Sequence, residues 1–355
     1  CFFAIEDDHG SFHILCTNNN STSTSFDKSD LCIAFPFAKK TYQNKDFSAR
    51  INQTVFNPLI PFGETDSGIP CSFFEFEIQN TTDKQVRYTL YGVCNNFLPN
   101  AKNTVGCTDS GALYISMSSN EEDNFSKIGN LCFATDAKSF SYTEHLSKKE
   151  LLHLENDKAY SSLTNEASAC LISSHISLLP GEKHVIRYAL SWYFPEYYCN
   201  NLPLYKNYYA QYFENSTECI QYCFAQWKRL LSETLCFSNT LMESNLPENS
   251  LKSVILSISA IKSPAFSRFE NGEFIATSDR FCDVFCYFTS LAYLFPSIYK
   301  SLSNNELKYI SKNRDKVPFL QKLRAILMAY QSFLLEGDFE QLLEIWSDLT
   351  RTIES

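Results

Sequence analysis

Two pairs of cysteines in this sequence have a spacing that could place two thiols on one face of a helix. Cys219 and Cys223 form one pair, Cys282 and Cys286 form the other, and both pairs lie in segments with a helical pattern of apolar residues. A structural zinc site needs four ligands, and neither segment contains a histidine that would add to the set. We therefore expect buried free thiols, no metal ion and no other cofactor.

Two histidines near the start of the sequence, His9 and His13, give a second candidate for metal binding. Cys16 is the one further ligand at a compatible spacing, so we expect surface or core histidines instead. The sequence also lacks a P-loop, another glycine-rich phosphate loop and a G-x-S-x-G nucleophile motif.

Carboxylates between residues 270 and 283 are the remaining groups that could do chemistry. Glu273 lies in the polar run 270–273, which is typical of a solvated turn. Asp283 stands directly before an apolar segment that begins at Val284, where a carboxylate can cap the first turn of a helix. From residue type and spacing alone, a turn residue and a helix cap are the expected roles.

The composition limits the classes of function that the chain can have. The sequence has 355 residues, 44% of them hydrophobic and 15% aromatic, with a formal net charge of -10 at pH 7. An acidic chain without a basic stripe is unsuited to binding a phosphate backbone, so we expect no nucleic-acid partner. No apolar run approaches the roughly 18–20 residues of a membrane-spanning helix.

The start of the sequence and its cysteines bear on cellular location. The chain opens on Cys1, without a charged leader or an apolar signal stretch, so we expect it to begin inside a longer reading frame. Glycosylation sequons such as that at Asn52 arise by chance in a sequence rich in Asn and Ser. We therefore expect a cytoplasmic protein whose 14 cysteines are reduced.

The first two hundred residues show the period-2 pattern of half-buried strands. Apolar residues alternate with glutamate at 74–78, a polar run follows at 80–84, and residues 86–91 favour a strand again, which indicates a hairpin. Pro180 and Gly181 suit a type II turn between two later strands. Further strands are predicted at 112–117, 131–135, 169–177 and 185–194. This pattern predicts an antiparallel β-sandwich over residues 1–200, missing its first strands.

Beyond residue 200 the apolar residues recur at helical spacing. The pattern runs from 206 to 231, Pro247 begins a second helix, and an apolar segment at 284–295 is stopped by Pro296.

The clearest pair of helices closes the chain. Residues 319–334 carry one apolar face, Gly337 ends that helix, and Asp338 with Gln341 predicts a capping box for the next one. Both helices have apolar faces that need partners. We therefore expect residues 206–355 to form a helical domain that stops before it is complete.

Six groups of residues along the chain resemble the conserved strings of one enzyme family. The strings are NPLIP (57–61) with DSGIP (66–70), FFEF (73–76) with NTT (80–82), LPGE (179–182) with ALSWYFP (189–195), SNLP (244–247), CDV (282–284) with LFP (294–296), and LEGDF (335–339) before Trp346. In this order they resemble the non-lysosomal glucosylceramidase family, glycoside hydrolase family 116, and they cover nearly the whole chain.

The resemblance implies a fold and a reaction. The fold is a β-sandwich followed by an (α/α)6-barrel-type helical domain. The reaction is retaining hydrolysis of a β-glucoside, typically glucosylceramide, by a protein in peripheral contact with the cytosolic face of a membrane. A retaining glycosidase needs two carboxyl groups about 5 Å apart, one nucleophilic and one a general acid and base.

The resemblance also assigns candidate site residues. The family's nucleophile is a glutamate shortly before the DV string, and Glu273 lies closest to that position by distance to Asp283. Aligned by local sequence, Ser278 takes the position instead, and Asp279 is a third candidate. Asp283 matches the aspartate that accepts hydrogen bonds from glucose hydroxyls, with helix capping as its alternative role. The family's acid/base aspartate lies beyond the last helix pair, so we expect this chain to lack it and to be inactive.

Two other functions stay open at this stage. One is a non-catalytic descendant of the family that binds a sugar or a protein partner. The other is an unrelated scaffold protein whose aromatic strands mimic the family.

Overall fold

The computed structural model of the protein describes residues 1–15, 26, 28–119, 129–146, 168–199, 202–263, 266–276 and 285–354. The chain divides into two compact units. The sandwich unit comprises Cys1–Pro58, Ile69–Glu196 and Tyr212–Ser232. The helical unit comprises Leu59–Gly68, Tyr197–Gln211 and Glu233–Ser355.

The sandwich unit contains two antiparallel sheets. Its strands are β1 (Phe2–Asp7), β2 (Phe12–Ile14), β3 (Lys28–Ala34), β4 (Phe37–Gln43), β5 (Ala49–Phe56), β6 (Cys71–Asn80), β7 (Val86–Asn96), β8 (Ala101–Cys107), β9 (Leu113–Ser119), β10 (Asn130–Thr135), β11 (Phe140–Leu146), β12 (Ser168–Leu178) and β13 (Lys183–Tyr193). One sheet has the order β11-β12-β7-β1-β2 and the other has the order β3-β4-β5-β6-β13-β10-β9-β8. The predicted antiparallel sandwich is therefore confirmed.

A buried tyrosine joins the two sheets through the aromatic core. The hydroxyl of Tyr188, on β13, donates to the carbonyl of Leu90 at 3.1 Å or that of Ile172 at 3.2 Å, both on the opposite sheet. Its ring stacks on Phe133 with a centroid distance of 5.5 Å. Gly92 lies under these rings, and a Cβ there would stand 2.8 Å from Phe133 and 2.9 Å from Tyr188. The close approach of the two rings therefore requires glycine at this position.

The predicted hairpin between residues 74–78 and 86–91 is wrong, because the two strands belong to different sheets. β6 pairs with β5 and β13, whereas β7 pairs with β1 and β12. Buried Asn80 organises the crossover: its amide donates to the carbonyls of Lys84 at 2.7 Å and Leu178 at 3.0 Å, and its side-chain oxygen accepts from the Thr82 backbone. Both strands still show the predicted alternation of apolar and polar residues, because each strand turns one face towards the shared core.

The turn between β12 and β13 has the features predicted for it. The amide of Glu182 donates to the carbonyl of Leu179 at 3.0 Å, which closes a four-residue turn. Gly181 has a φ of 73°, the left-handed value that the third position of a type II turn requires. This turn also carries the chain from one sheet to the other.

Seven α-helices occur in the described part of the chain. They are α1 (Glu64–Ser67), α2 (Ser216–Met242), α3 (Glu248–Ala260), α4 (Phe285–Leu294), α5 (Pro296–Lys312), α6 (Phe319–Glu336) and α7 (Phe339–Ile353). Four short strands accompany them: β14 (Glu196–Cys199), β15 (Leu202–Lys206), β16 (Phe266–Arg268) and β17 (Phe274–Ala276). The mixed β plus α class that the sequence predicts is confirmed.

The first part of α2 packs in the sandwich unit through the apolar positions that the sequence identifies. Trp227 is 1% exposed, and its ring meets Phe73 edge-on at 4.8 Å. The indole N–H donates to Glu75 at 3.3 Å, and Arg187 pairs with the same carboxylate at 3.2 Å. The ring therefore buries its apolar surface while its polar nitrogen keeps a partner.

Three helix boundaries differ from the prediction. The helix predicted at 206–231 lies at Ser216–Met242. It begins later because residues 206–211 end a strand and form a 3-10 turn, and it continues past residue 231. Pro296 is predicted to stop the apolar segment, and it follows α4, but it is also the first residue of α5. Proline is tolerated at this position because an amide N–H there would have no partner within the helix.

The connection between α6 and α7 is largely as predicted. Gly337 ends α6 with a φ of 66°, and the Asp338 carboxylate accepts from the amide of Gln341 at 3.0 Å. The reciprocal half of the capping box is absent here, because the Gln341 side chain donates to Asn304 at 3.1 Å instead. Asp338 also forms an ion pair with Lys300 at 2.6 Å.

The apolar face of α6 is exposed, and the opposite face is buried. Ala325 and Ala329 pack in a core with Leu307 and Ile310 of α5. The exposed apolar residues of α6 and α7 include Phe319, Leu320, Leu323, Leu327, Tyr330, Leu334, Phe339, Leu343 and Trp346. This agrees with the prediction that the last two helices keep exposed apolar faces. No helix in the described part of the chain is long and apolar enough to cross a membrane.

Candidate functional site

Of the acidic candidates before the CDV string, the structure describes Glu273. Ser278, Asp279 and Asp283 lie outside the described residues. The site can therefore be built from Glu273 and from the residues of the helical unit around its hairpin.

Glu273 lies in the turn of the hairpin formed by β16 and β17. Gly272 has a φ of 81°, its amide donates to the carbonyl of Phe269 at 2.9 Å, and the amide of Glu273 donates to the side chain of Asn271 at 3.0 Å. The amide of Phe269 then donates to the carbonyl of Glu273 at 2.9 Å and closes the loop. Its place in the polar run 270–273 matches the turn expected from the sequence.

Neighbouring elements hold this hairpin in place. The Phe269 ring is fully buried and stacks on Tyr205 with a centroid distance of 4.9 Å. The amide of Glu270 donates to the carbonyl of Lys206 at 2.9 Å, and Ser301 of α5 donates to the carbonyl of Gly272 at 3.1 Å. The turn backbone is thus fixed on two sides. In contrast, the Glu273 carboxylate has no hydrogen bond or ion pair to any other described residue.

A charged cluster lies on the same hairpin. Arg268, at the end of β16, forms an ion pair with Glu64 at 2.6 Å, and both side chains are mostly buried. The guanidinium also stacks on the ring of Tyr208, 3.5 Å from its centroid, and Ser297 of α5 donates to the second oxygen of Glu64. Arg268 pairs in register with Phe274, the residue after Glu273. The ion pair and the stacking interaction therefore anchor the strand that leads into the turn.

Sequence reasoning missed this cluster. Glu64 is 204 positions away from Arg268 in the chain, so no local pattern connects them. The one available signal is that Glu64 stands between the NPLIP and DSGIP strings.

A lysine beside the loop 59–68, which contains Glu64, has a lowered pKa. The Lys262 ammonium, just beyond α3, donates to the carbonyl of Ser67. Burial disfavours the charged form and lowers the pKa of Lys262 to about 7. The residues around the loop 59–68 thus include a lysine that titrates near neutral pH.

Comparison with known proteins now decides the family. A family model described as beta-glucosidase 2, glycosyl-hydrolase family 116 N-term, matches residues 6–230, which is more than half of the chain. The chain belongs to glycosyl-hydrolase family 116. The resemblance drawn from the sequence strings is therefore confirmed, and the interpretation as an unrelated scaffold protein is wrong.

A solved structure supports the fold of this family 116 chain. The protein described as a kojibiose phosphorylase from the human microbiome matches with a TM-score of 0.50 and 9% sequence identity. The match covers 99% of this chain and 48% of that one, so this chain spans about half the length of that structure. At this identity the similarity concerns the fold alone. Among curated protein sequences, none matches this chain.

Of the two cysteine pairs singled out in the sequence, the structure describes the side chains of Cys219 and Cys223, whereas those of Cys282 and Cys286 lie outside the described part of the chain. Cys219 and Cys223 are fully buried on one face of α2, with their sulfurs 4.0 Å apart, and Cys71 and Cys132 of the adjacent strands are also fully buried. Burial raises the pKa of Cys71 and of Cys132, which keeps these thiols protonated and unreactive. Within the described ranges no group of three or more His, Cys, Asp or Glu residues could hold a metal ion.

Membership of a glycoside hydrolase family makes a sugar the expected substrate class. The chemistry of such enzymes rests on carboxyl groups. Two carboxyl groups in the turn of the hairpin, those of Glu270 and Glu273, have no partner among the described residues, and of these Glu270 is exposed whereas Glu273 is half-buried. The Glu64 carboxylate is a poor alternative, because Arg268 and Ser297 engage both of its oxygens.

Proposed function

We propose that this family 116 chain acts in retaining hydrolysis of β-glucosides, with Glu273 as the nucleophile. The observation that carries the proposal is that Glu273 is half-buried, unlike the exposed Glu270, and lies on a backbone fixed by α5 and residue 206 while its carboxylate stays unpaired among the described residues. A nucleophile needs both properties, since its position must be held and its oxygens must be available to the anomeric carbon.

The proposed reaction has two displacements. The Glu273 carboxylate attacks the anomeric carbon, the bond to the aglycone oxygen breaks, and a glucosyl ester forms on Glu273. Water then hydrolyses the ester and restores the carboxylate. A second carboxyl group protonates the leaving oxygen in the first step and deprotonates the water in the second. We assign Asp283 to accept hydrogen bonds from glucose hydroxyls, as its match to the family string suggests.

A fluorinated substrate with an activated leaving group tests the nucleophile directly. Dinitrophenyl 2-deoxy-2-fluoro-β-glucoside needs no acid catalyst to leave, so it traps the ester even where protonation is impaired. We expect stoichiometric labelling of the wild type on the peptide that contains Glu273, and loss of labelling in Glu273→Gln. Glu270→Gln, three residues earlier on the same turn, is the matched control and should label normally. Labelling at Asp279 instead would refute the assignment of Glu273.

A second function is favoured by the same environment of Glu273. Catalytic carboxylates are usually oriented by neighbouring donors, and no donor to this carboxylate occurs among the described residues. We therefore keep a non-catalytic sugar-binding role as the alternative, in which the chain is inactive. Binding of methyl β-glucoside without any covalent label would support this role, whereas release of glucose from an aryl β-glucoside would exclude it.

The finer substrate assignment is also a proposal. The resemblance to glucosylceramidases suggests a lipid-linked β-glucoside, a cytoplasmic location and a peripheral membrane contact. Competition of glucosylceramide in mixed vesicles against the fluorinated label should slow labelling more than vesicles without the glycolipid. Equal labelling rates with both kinds of vesicle would contradict the lipid-linked substrate.

A further inference from the structure

A polar cavity of about 560 Å³ lies in the sandwich unit, on the five-stranded sheet. Its lining includes Glu6, Asp8, Arg87, Thr89, His175 and Ser177. This volume falls within the range of small-molecule binding sites, about 300–1,000 Å³. We call it the sheet cavity.

Strand register places the lining residues in two rows on one face of the sheet. Thr89 of β7 pairs with Glu6 of β1 on one side and with His175 of β12 on the other. In the next row Arg87 pairs with Ser177, and the amide of Asp8 donates to the carbonyl of Arg87 at 3.0 Å. Residues two apart on a strand share a face, so both rows point the same way.

The side chains in the first row are oriented by their neighbours. The two ring nitrogens of His175 lie 3.1 Å from the Thr89 hydroxyl and 3.1 Å from the Ser141 hydroxyl. One oxygen of Glu6 accepts from the Tyr91 hydroxyl at 2.6 Å. A carboxylate has about four acceptor positions, so Glu6 keeps acceptor capacity for a ligand.

The second row supplies a donor beside an acceptor. The Arg87 side chain is 80% exposed, and its nearest carboxylate contact, with Asp8, is long at 3.9 Å. One Asp8 oxygen accepts from the backbone amide of Arg87 at 3.2 Å, which fixes the position of the carboxylate. Guanidinium donors and carboxylate acceptors therefore lie side by side at the cavity wall.

Aromatic surface borders the row at Glu6. The ring of Tyr91 lies 6.0 Å from that of Phe12, and both residues are only partly buried. Such rings offer an apolar surface next to polar groups.

We propose that the sheet cavity binds a neutral saccharide. Sugar hydroxyls both donate and accept, so they match a surface of carboxylates, a guanidinium and the hydroxyls of Thr89 and Ser141, which His175 orients. The aromatic rings at the edge suit the apolar C–H face of a pyranose. Three carboxylates, Glu6, Asp7 and Asp8, outnumber the one guanidinium of Arg87, so anionic ligands such as phosphate are disfavoured.

A metal ion is a poorer occupant. Asp7 is already committed, because one oxygen accepts from the amides of His9 and Ser11 and the other accepts from the Ser48 hydroxyl at 2.7 Å. This leaves Glu6 and Asp8 as the carboxylates available to a ligand, too few for a calcium site.

Ligand-observed NMR with the full chain tests the proposal. The probes are cellobiose, maltose and N-acetylglucosamine, with sodium phosphate and calcium chloride added as charged competitors. The experiment uses the Glu273→Gln variant as background, so that no saccharide is turned over at the proposed nucleophile, and the variants in the sheet cavity then show which part of the binding occurs there. We expect saturation transfer to at least one of the saccharides, and about tenfold weaker binding of it in Arg87→Met and in His175→Leu.

His184→Leu is the matched control, because His184 is an exposed strand histidine on the other sheet. Its saccharide affinity should equal that of the background. Arg87→Lys keeps the charge and should fall between background and Arg87→Met, which separates lost recognition from lost folding. The proposal is overturned if no saccharide binds, if binding is unchanged in both cavity variants, or if calcium or phosphate binds in place of sugar.

Discussion

At the scale of single residues, the polar turn at Glu273 illustrates what local sequence can predict. Gly272 has a positive φ, and the side chain of Asn271 accepts a hydrogen bond from the amide of Glu273. These local features define the turn without contacts to residues distant in the chain. The anchor of the same hairpin is different. Arg268 needs Glu64, which only the folded chain brings within 2.6 Å.

The acidity of Lys262 leads to a prediction about stability and pH. Its pKa in the folded chain is about 7 against an ordinary 10.5, so between these values the unfolded chain carries a proton that the folded chain lacks. Stability therefore rises with pH across this window and is insensitive to this group below about pH 7. We expect Lys262→Met to remove the effect, so that the wild type gains stability relative to the variant as pH rises.

Urea unfolding midpoints of the two proteins between about pH 7 and pH 10 measure this difference. Lys308→Met, at an exposed lysine of α5, should follow the wild-type profile. Parallel profiles for the wild type and Lys262→Met would contradict the lowered pKa.

At the scale of elements, strand alternation is informative about faces but not about partners. β6 and β7 both alternate apolar and polar residues, and both contribute to one core. A hairpin and a crossover between sheets satisfy this pattern equally well. The side chain of Asn80 stabilises the crossover, because its amide donates to the carbonyl of Lys84 within the connection and to that of Leu178 at the end of β12 in the other sheet.

The buried ion pair between α5 and α6 gives a prediction at this scale. Glu306 and Arg324 are 8% and 7% exposed and face each other directly, and Gln321 also donates to Glu306. Removing one partner leaves a buried charge without compensation, so Arg324→Met should cost about 3–5 kcal/mol of unfolding free energy. The double variant Glu306→Leu/Arg324→Met should recover most of this loss.

Chemical denaturation of the single and double variants measures the coupling between the two residues. The control is Lys252→Met in the exposed pair of Lys252 with Glu248, where we expect a change of no more than about 0.5 kcal/mol. A double variant as unstable as Arg324→Met would show that shape, rather than charge, dominates this contact.

At the scale of the whole molecule, the described chain forms two compact units of different class, one of sheets and one of helices. The sandwich unit buries eight aromatic residues in one continuous core. In the helical unit, α6 buries alanines and a charged pair but leaves Leu320, at 77% exposure, in solvent. Exposed apolar surface of this extent promotes association with other apolar surfaces.

We therefore predict that the isolated chain binds the dye ANS and self-associates with increasing concentration. Leu320→Glu and Leu343→Glu should reduce both effects without lowering the unfolding free energy, since both side chains are about three-quarters exposed. Dye fluorescence and light scattering are the measurements. Leu246→Glu, at an exposed leucine outside these two helices, should leave both unchanged. Unaltered dye binding in the two helix variants would place the apolar surface elsewhere.

Periodicity and short strings were enough to predict the antiparallel strands, several helix boundaries, the glycine turns and the family from the sequence. Tertiary structure alone decided which strands pair, which face of α6 is buried, and that Arg268 meets Glu64. These features depend on contacts between residues distant in the chain, for which binary patterns allow several solutions. The same division between local pattern and tertiary contact applies to the four candidate site residues, Glu273, Ser278, Asp279 and Asp283. Their order is in the sequence, whereas the availability of the Glu273 carboxylate follows from what the fold places around it.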